Sequence, residues 1–330
     1  MRIHVTLALL LVAGPAWAEA PRLSLPLECR LGEDCWVMNY PDTDPSQAAR
    51  DFTCRPRSYN LHDGTDFALR DIEAMRRGVP VRAAAAGKVI AVRDGEEDGL
   101  WLAGRKQEVL ARTRECGNRV SIAHGDGWVT DYCHMRKGSI RVQKGQMVET
   151  GQPLGLVGLS GMTDFPHAHM GVLRFAPGAR KGVPVDPYTG APLSEGCGRP
   201  AHPLWAQPQP YESGSLYAAG VADHVPGKDI KQDAAAARRL PADAPALVVW
   251  GSMFGAARGD TLRIQLTAPD GRELVDNSHK VDGDQAWRVS GTGKKRPPGG
   301  WAPGTYRGRV TLARPGQPPQ SRDVSVEVGP

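Results

Sequence analysis

The alternation of apolar and polar residues in the middle of the chain predicts β-strands. The run Arg119-Val120-Ser121-Ile122-Ala123 alternates in this way, and His167-Ala168-His169-Met170 lies in a similar strand-like context. Successive side chains of a strand point to opposite faces, so residues two apart share a face. The imidazoles of His167 and His169 are therefore expected on the same side of one strand.

The flanking segments have different patterns. Residues 19–53 form a cysteine-bearing lead-in, with a strand expected at residues 36–40 and a short helix at residues 44–50. Residues 191–243 are rich in proline and glycine and are typical of a connection. Residues 244–330 contain short alternating runs separated by turn signals, which predicts a small all-β domain of the immunoglobulin-like sandwich type. Its predicted strands are residues 247–250, 262–266, 305–310 and 324–328.

Three clusters of candidate metal ligands or proton-transfer groups accompany the central strands. His62 and Asp66 are four residues apart, His134 follows the run Asp131-Tyr132-Cys133, and His167 and His169 form a His-x-His pair. Zinc binds imidazole nitrogen and carboxylate oxygen, and catalytic zinc sites use three protein ligands. A single His-x-His on a polar strand is often a coincidence, but chance must here place three clusters in one region.

The order of these motifs resembles that of the M23 (LytM or lysostaphin type) zinc metallopeptidases, over residues 54–190. The resemblance implies an antiparallel β-sheet core. It also implies one zinc ion per chain, with His62 and Asp66 of a His-x-Gly-x-Asp motif and His169 of the His-x-His pair as ligands. His167 and His134, the latter in Tyr132-Cys133-His134-Met135, are the implied catalytic residues. A charged insertion at residues 96–114 departs from the family pattern. This departure bears on the choice of substrate and not on zinc binding.

Proton transfer must come from side chains near the metal. Zinc in such sites activates a water molecule as the nucleophile. The sequence lacks the His-Glu-x-x-His signature that supplies a glutamate base in other metalloproteases. His134 and His167 are the candidates for this role, because an imidazole titrates near neutral pH. Their individual roles are left open.

The amino terminus has the features of a secretory signal peptide over residues 1–18. A short positive start, an apolar stretch at residues 5–12 and a small-residue site at Ala16-Trp17-Ala18 predict cleavage before Glu19. The expected product is exported without a transmembrane anchor. An uncleaved anchor helix is the alternative. The plain signal and the disulfides favour the periplasm, and secretion from the cell is a second destination.

Six cysteines follow the predicted signal. An even set in an exported protein favours disulfides, although six cysteines allow fifteen pairings. Cys116 and Cys133 bracket a hairpin-like unit, and Cys29 and Cys35 are close enough for a small loop. The expected pairs are Cys29 with Cys35, Cys54 with Cys197, and Cys116 with Cys133.

The composition limits the classes of binding partner that the protein can have. The 330 residues are 40% hydrophobic, enough for a globular core, and the formal net charge is +5. Such a modest positive charge is compatible with anionic wall polymers. No block of lysine and arginine is long enough to indicate nucleic acid.

The predicted function is that of an exported zinc endopeptidase that hydrolyses peptide bonds in peptidoglycan stems or cross-links. The C-terminal β domain would bind the cell wall or a protein partner. Some proteins that resemble the M23 family have lost their metal ligands and act as regulators that bind the wall and activate wall amidases. A non-hydrolytic or autoinhibited regulator of this kind is the alternative. The presence of all five site residues, from His62 to His169, favours the enzyme.

Overall fold

The computed structural model describes residues 20–99, 106–227 and 237–329. The predicted signal peptide therefore lies outside the described residues, as do residues 100–105 of the charged insertion. The described chain is mainly antiparallel β-structure, which confirms the expected fold class.

The larger sheet, called the N-terminal sheet, contains eight strands among the described residues. The strands are β1 (Cys35–Asn39), β2 (Gly64–Leu69), β4 (Gly87–Arg93), β5 (Asn118–Gly125), β6 (Trp128–Met135), β7 (Met147–Val148), β9 (His167–Arg174) and β10 (Val183–Pro184). Their order is β1-β2-β9-β6-β5-β4-β7, β10 adds to β9, and all neighbours are antiparallel.

The alternation in β5 and β9 divides the N-terminal sheet into two faces, as expected. Val120, Ile122 and Met170 are fully buried in one hydrophobic core. The residues between them point to the opposite face, which carries Arg119 on β5 and His169 on β9. The functional groups of these strands therefore lie on the face away from that core.

Smaller elements pack around this sheet. Strand β3 (Pro80–Arg82) pairs with β8 (Pro153–Leu156) in a separate two-stranded sheet. Helix α1 (Ile72–Arg77) begins where the Asp71 carboxylate accepts a hydrogen bond from the Ala74 amide, at 2.7 Å. Helix α2 (Lys106–Ala111) lies in the charged insertion, and a short 3₁₀ helix follows β10. Among the described residues, no helix is both long and apolar enough to cross a bilayer.

The C-terminal part forms two sheets, called here the C-terminal sandwich. Its strands are β11 (Ser215–Ala222), β12 (Arg239–Pro241), β13 (Ala246–Ala256), β14 (Thr261–Thr267), β15 (Glu273–Lys280), β16 (Gln285–Lys295), β17 (Gly304–Ala313) and β18 (Gln320–Gly329). One sheet has the order β11-β13-β16, and the other has the order β12-β18-β17-β14-β15. Val249, Ile264 and Val310 belong to the buried core that these strands form.

The sandwich packs directly against the N-terminal sheet. Trp36 of β1 meets Tyr217 of β11 edge to face at 5.4 Å, and the Tyr217 hydroxyl donates a hydrogen bond to the Leu69 carbonyl. Trp250 and Phe254 of β13 complete this buried aromatic cluster. The cluster contacts β1 and β2, so the C-terminal sandwich supports strands that also carry the site described below.

The predicted helix at residues 44–50 is wrong, because this segment is a series of bends. Side-chain carboxylates accept hydrogen bonds from backbone amides that would otherwise donate to carbonyls within a helix. The Asp42 carboxylate accepts from the amides of Asp44 and Arg50, and Asp44 accepts from Ser46. Such local acceptors favour turns over helices.

Two strands lie within the segment for which the sequence predicts a connection, residues 191–243. Strand β11 pairs with β13 and strand β12 pairs with β18. Sandwich structure thus begins at Ser215, before the predicted boundary at residue 244. The small residues of β11, including Ala218, Ala219 and Gly220, weaken the strand pattern.

All three expected disulfides are confirmed. They join Cys29 to Cys35, Cys54 to Cys197, and Cys116 to Cys133.

Candidate metal centre

The structure brings His62, Asp66 and His169 together. Asp66 of β2 pairs in register with His169 of β9, and His62 lies in the loop that enters β2. The Asp66 Oδ1 atom is 3.0 Å from His62 Nε2 and 3.0 Å from His169 Nδ1, and these two nitrogens are 3.2 Å apart. Three potential ligand atoms thus form a nearly equilateral triangle with buried side chains.

This triangle fits a tetrahedral metal ion. For metal–ligand bonds of about 2.0 Å, as zinc makes with imidazole, the ligand atoms of a tetrahedron are separated by about 3.3 Å. The separations of 3.0 to 3.2 Å are close to that value. Imidazole nitrogen and carboxylate oxygen are also a suitable donor set for zinc. The three side chains could therefore hold a metal ion with little rearrangement.

Hydrogen bonds from outside the triangle orient its ligand atoms. The Tyr40 carbonyl is 2.8 Å from His62 Nδ1, so this nitrogen carries the proton and Nε2 presents its lone pair to the triangle. The amide of Asn39 donates to Asp66 Oδ2 at 2.8 Å, which leaves Oδ1 facing the histidines. Partners of this kind typically orient metal ligands.

The charge of the triangle favours a cation. Burial opposes ionisation of Asp66, but the adjacent His62 and His167 imidazoles hold its pKa well below the usual range. Burial alone would lower the pKa of His169, yet Asp63 and Asp66 raise it to about 10. The carboxylates therefore stabilise positive charge at this position, whether carried by a proton or by a metal ion.

The other two predicted site residues, His134 and His167, border the triangle. Their ring centroids are 4.7 Å apart, and His134 is 6.0 Å from His169 by the same measure. His167 donates from Nδ1 to the Phe165 carbonyl at 2.9 Å, and its Nε2 lies 3.4 Å from Asp66 Oδ1. The structure therefore brings all five predicted residues into one site.

His134 is held in an unusual backbone conformation, with φ at +60°. Its amide donates to the Cys116 carbonyl at 2.9 Å, and its Nδ1 donates to the Ser160 carbonyl at 2.9 Å. Burial, together with His167 and His169 nearby, holds the pKa of His134 well below its usual range. The imidazole is therefore neutral at pH 7, with the lone pair on Nε2.

A cleft of about 600 Å³ opens over the site, and His62, His134 and His169 belong to its lining. Its lining includes two exposed apolar side chains, Tyr59 and Leu61, and two basic ones, Arg93 and Arg119. A peptide could thus lie along the sheet with one bond at the triangle.

Sequence reasoning missed Asn39, Asp63 and the carbonyls of Tyr40 and Ser160. The first two lack a motif of their own, and a carbonyl contact depends on the backbone path and not on side-chain identity. Only the pairing of β1 with β2 explains why Asn39 meets Asp66. A second close group, Cys29, Asp34 and Cys35, is not a metal site of this kind because its two sulfurs form a disulfide.

The sequence of this region matches the model of peptidase family M23 over residues 60–187. Residues 60–187 form an M23 domain. The M23 domain contains the five site residues and excludes the C-terminal sandwich.

Two curated relatives match about a third of the chain. The cell division protein DipM of Caulobacter vibrioides is 32% identical over 124 residues, which are 37% of this chain and 18% of that protein. The peptidoglycan DD-endopeptidase ShyB of Vibrio cholerae is 35% identical over 112 residues, 34% of this chain and 20% of that protein. The chain spans about a fifth of the length of each relative.

Among solved structures, this protein is similar to a mutant of the catalytic domain of EnpA, a prophage-encoded M23 protein from Enterococcus faecalis. It is 23% identical, and the match covers 50% of this chain and 92% of that one, with a TM-score of 0.30.

Proposed function

We propose that this protein is a zinc-dependent endopeptidase that hydrolyses peptide bonds in peptidoglycan stems or cross-links. The observation that carries the proposal is the buried triangle of His62, Asp66 and His169 beneath an open cleft. The M23 match supports the reaction class, and the similarity to a peptidoglycan DD-endopeptidase supports the substrate class.

The three triangle residues would hold the zinc ion through His62 Nε2, Asp66 Oδ1 and His169 Nδ1. Zinc, when bound, acidifies a water molecule and polarises the scissile carbonyl. Asn39 and the Tyr40 carbonyl keep the ligand atoms aimed at the centre.

His134 and His167 would transfer protons. Each uses Nδ1 in a hydrogen bond to a backbone carbonyl, at Ser160 and Phe165 respectively, so each directs Nε2 away from that bond. A neutral imidazole can accept a proton at Nε2 and return it to the leaving amine. The lowered pKa of His134 keeps it in the neutral, proton-accepting form at neutral pH. After protonation, either imidazolium would stabilise negative charge on the tetrahedral intermediate.

The proposal places the enzyme outside the cytoplasm. A predicted signal peptide at residues 1–18 and three disulfides support export, with the periplasm as the favoured destination. The C-terminal sandwich would position the M23 domain on the wall or against a protein partner.

A regulator is the second candidate, because one relative is named as a cell division protein and not as a peptidase. In that case the M23 domain would bind the wall and activate amidases without hydrolysis. The five intact site residues favour hydrolysis over this role.

Digestion of purified peptidoglycan by the oxidised protein, with mass analysis of new peptide termini, tests the enzyme. We expect chelator-sensitive release of peptides, and a rate about a hundredfold lower for His134→Ala, because a positioned base contributes on that scale. Bound zinc with no new termini would contradict hydrolysis and favour the regulator.

A further inference from the structure

Two members of the metal triangle, Asp66 and His169, lie in one row with two arginines across the N-terminal sheet. Asp66 pairs with His169, and His169 pairs with Cys133. On β5, Arg119 lies between the residues that pair with Met135 and Tyr132, hence beside Cys133, and it pairs with Arg93 of β4. The row runs from the triangle along the lining of the cleft.

The spacing of strands gives the length of this row. Neighbouring strands are about 4.8 Å apart, so the Arg119 backbone lies about 10 Å and the Arg93 backbone about 14 Å from His169. An extended peptide advances about 3.3 Å per residue. The two arginines therefore face substrate groups within about four residues of the bond at the triangle.

Both guanidiniums are free to bind an anion. Arg93 uses Nε for a hydrogen bond to the Gly117 carbonyl at 2.6 Å, and both side chains are partly exposed in the cleft. Within the described part of the chain, neither has a carboxylate within 4 Å. Arg114 nearby differs, because its Nε lies 3.2 Å from a Glu96 carboxylate oxygen.

The two guanidiniums share the lining of the cleft with the carboxylates of Asp63 and Asp131. Burial first, and then the nearby guanidiniums of Arg114 and Arg119, lower the pKa of Arg93. Glu115 also lines the cleft, but it makes no ion pair within 4 Å with a described residue.

We propose that Arg93 and Arg119 bind a free carboxylate of the peptide substrate and so determine specificity. The planar guanidinium suits a carboxylate because it can donate two parallel hydrogen bonds. This inference rests on the proposed endopeptidase function and narrows it. It favours cross-linked stem peptides that carry free carboxylates over bridges made of glycine, which have no side-chain anion.

A matched pair of substrates tests the proposal. Cross-linked stem-peptide dimers from peptidoglycan are compared with the same dimers after conversion of their carboxylates to carboxamides. The full-length protein is assayed beside Arg93→Gln, Arg119→Gln and the control Arg180→Gln, an exposed arginine outside the cleft. Binding of the uncross-linked stem tetrapeptide and its carboxamide is measured by calorimetry, independently of cleavage.

We expect the protein to prefer the carboxylate dimer in kcat/KM by about ten- to a hundredfold, the range of charge-assisted hydrogen bonds. Arg93→Gln and Arg119→Gln should lose this preference, because they slow cleavage of the carboxylate dimer far more than cleavage of the carboxamide dimer. Arg180→Gln should keep it. If an arginine had only a structural role, its replacement would lower the rates on the carboxylate and carboxamide dimers together.

The two assays separate the two proposals. Cleavage without carboxylate preference, or with a preference that survives in both cleft variants, would overturn the arginine assignment and leave the enzyme intact. Carboxylate-selective binding that requires Arg119, without cleavage, would support the assignment and contradict the endopeptidase. Absence of both cleavage and selective binding would reject both proposals.

Discussion

At the scale of single residues, the site depends on a carboxylate that is buried and yet ionised. Asp66 is 1% exposed, and an isolated charge at such depth would be costly. His62, His167 and His169 surround Oδ1, and Asn39 donates to Oδ2. A buried negative charge among imidazoles is suited to a cation.

Gly64 provides room for His169. A Cβ atom at this position would lie 2.5 Å from His169 Nε2 and 2.7 Å from the Met170 carbonyl oxygen. Gly64→Ala should therefore displace the imidazole from Asp66 and lower zinc affinity by at least about tenfold, the scale seen when groups that orient a ligand are lost. Zinc titration against a competing chelator measures this change.

Gly95→Ala is the matched control, because a Cβ atom there would meet nothing within 4 Å. Equal zinc affinities for the two variants would show that His169 does not need its observed position.

Most residues of the site could be predicted from sequence, because the spacings of His62 with Asp66 and of His167 with His169 are local. The orienting contacts could not. Asn39 reaches Asp66 only through the register of β1 on β2, and the Ser160 carbonyl reaches His134 through a loop path.

At the scale of elements, the Cys116–Cys133 disulfide joins the segment before β5 to the end of β6. His134 follows Cys133, has a positive φ, and donates its amide to the Cys116 carbonyl. The crosslink therefore fixes both sides of the backbone that presents the imidazole.

Replacement of Cys116 and Cys133 by serine should lower the free energy of unfolding by about 3 kcal/mol, from the chain entropy of a loop of 17 residues. It should also slow peptide cleavage at temperatures where the variant is folded, because His134 loses its anchor. Denaturation and steady-state rates measure the two effects.

The Cys29–Cys35 pair is the comparison, because it closes a loop of only 6 residues and contributes no residue to the cleft. Its double serine variant should lose less stability and retain the cleavage rate. Similar cleavage rates for the two double variants would contradict the proposal that the Cys116–Cys133 disulfide positions His134.

Strands with clear alternation can be predicted from sequence, and weakly patterned elements cannot. Residues 262–266 alternate and lie within β14, whereas β11 contains several small residues and has the sequence pattern of a connection. The expected helix at residues 44–50 does not form because Asp42 and Asp44 compete for its amides.

At the scale of the whole molecule, the junction between the N-terminal sheet and the C-terminal sandwich contains a buried guanidinium and a half-buried carboxyl group. Arg57 donates to the carbonyls of Val37 and Met38 and stacks over Phe254 at 4.8 Å. Glu212 accepts from the Val37 amide at 2.9 Å. No local pattern predicts this docking, because it joins residues more than 150 positions apart.

Glu212 should make stability depend on pH. Burial raises its pKa to about 7 against 4.5 in the unfolded chain, despite the Val37 amide and Arg57. The folded state therefore binds the Glu212 proton more tightly than the unfolded chain does. The contribution of Glu212 to the free energy of unfolding is complete below about pH 4.5 and is lost as the pH rises through about 7. The loss is on the order of 3 kcal/mol at most.

Glu212→Gln should remove this loss. The variant should be more stable than the unmodified protein at pH 8 and differ less at pH 5, as measured by urea denaturation at both values. Asp186, whose pKa burial also raises to about 7, remains in both proteins, so the difference between them isolates Glu212. Exposed Glu195→Gln is the control, and the same pH dependence in all three proteins would contradict the assignment.

Zinc X-ray absorption on the full-length protein, with the metal content measured beside it, tests whether His62, Asp66 and His169 form a zinc site. We expect about one zinc per chain, with nitrogen and oxygen ligands at about 2.0 to 2.1 Å and no sulfur ligand. Zinc should be lost from Asp66→Ala and His169→Ala. A sulfur ligand, or full zinc content in both variants, would contradict a metal centre built from His62, Asp66 and His169.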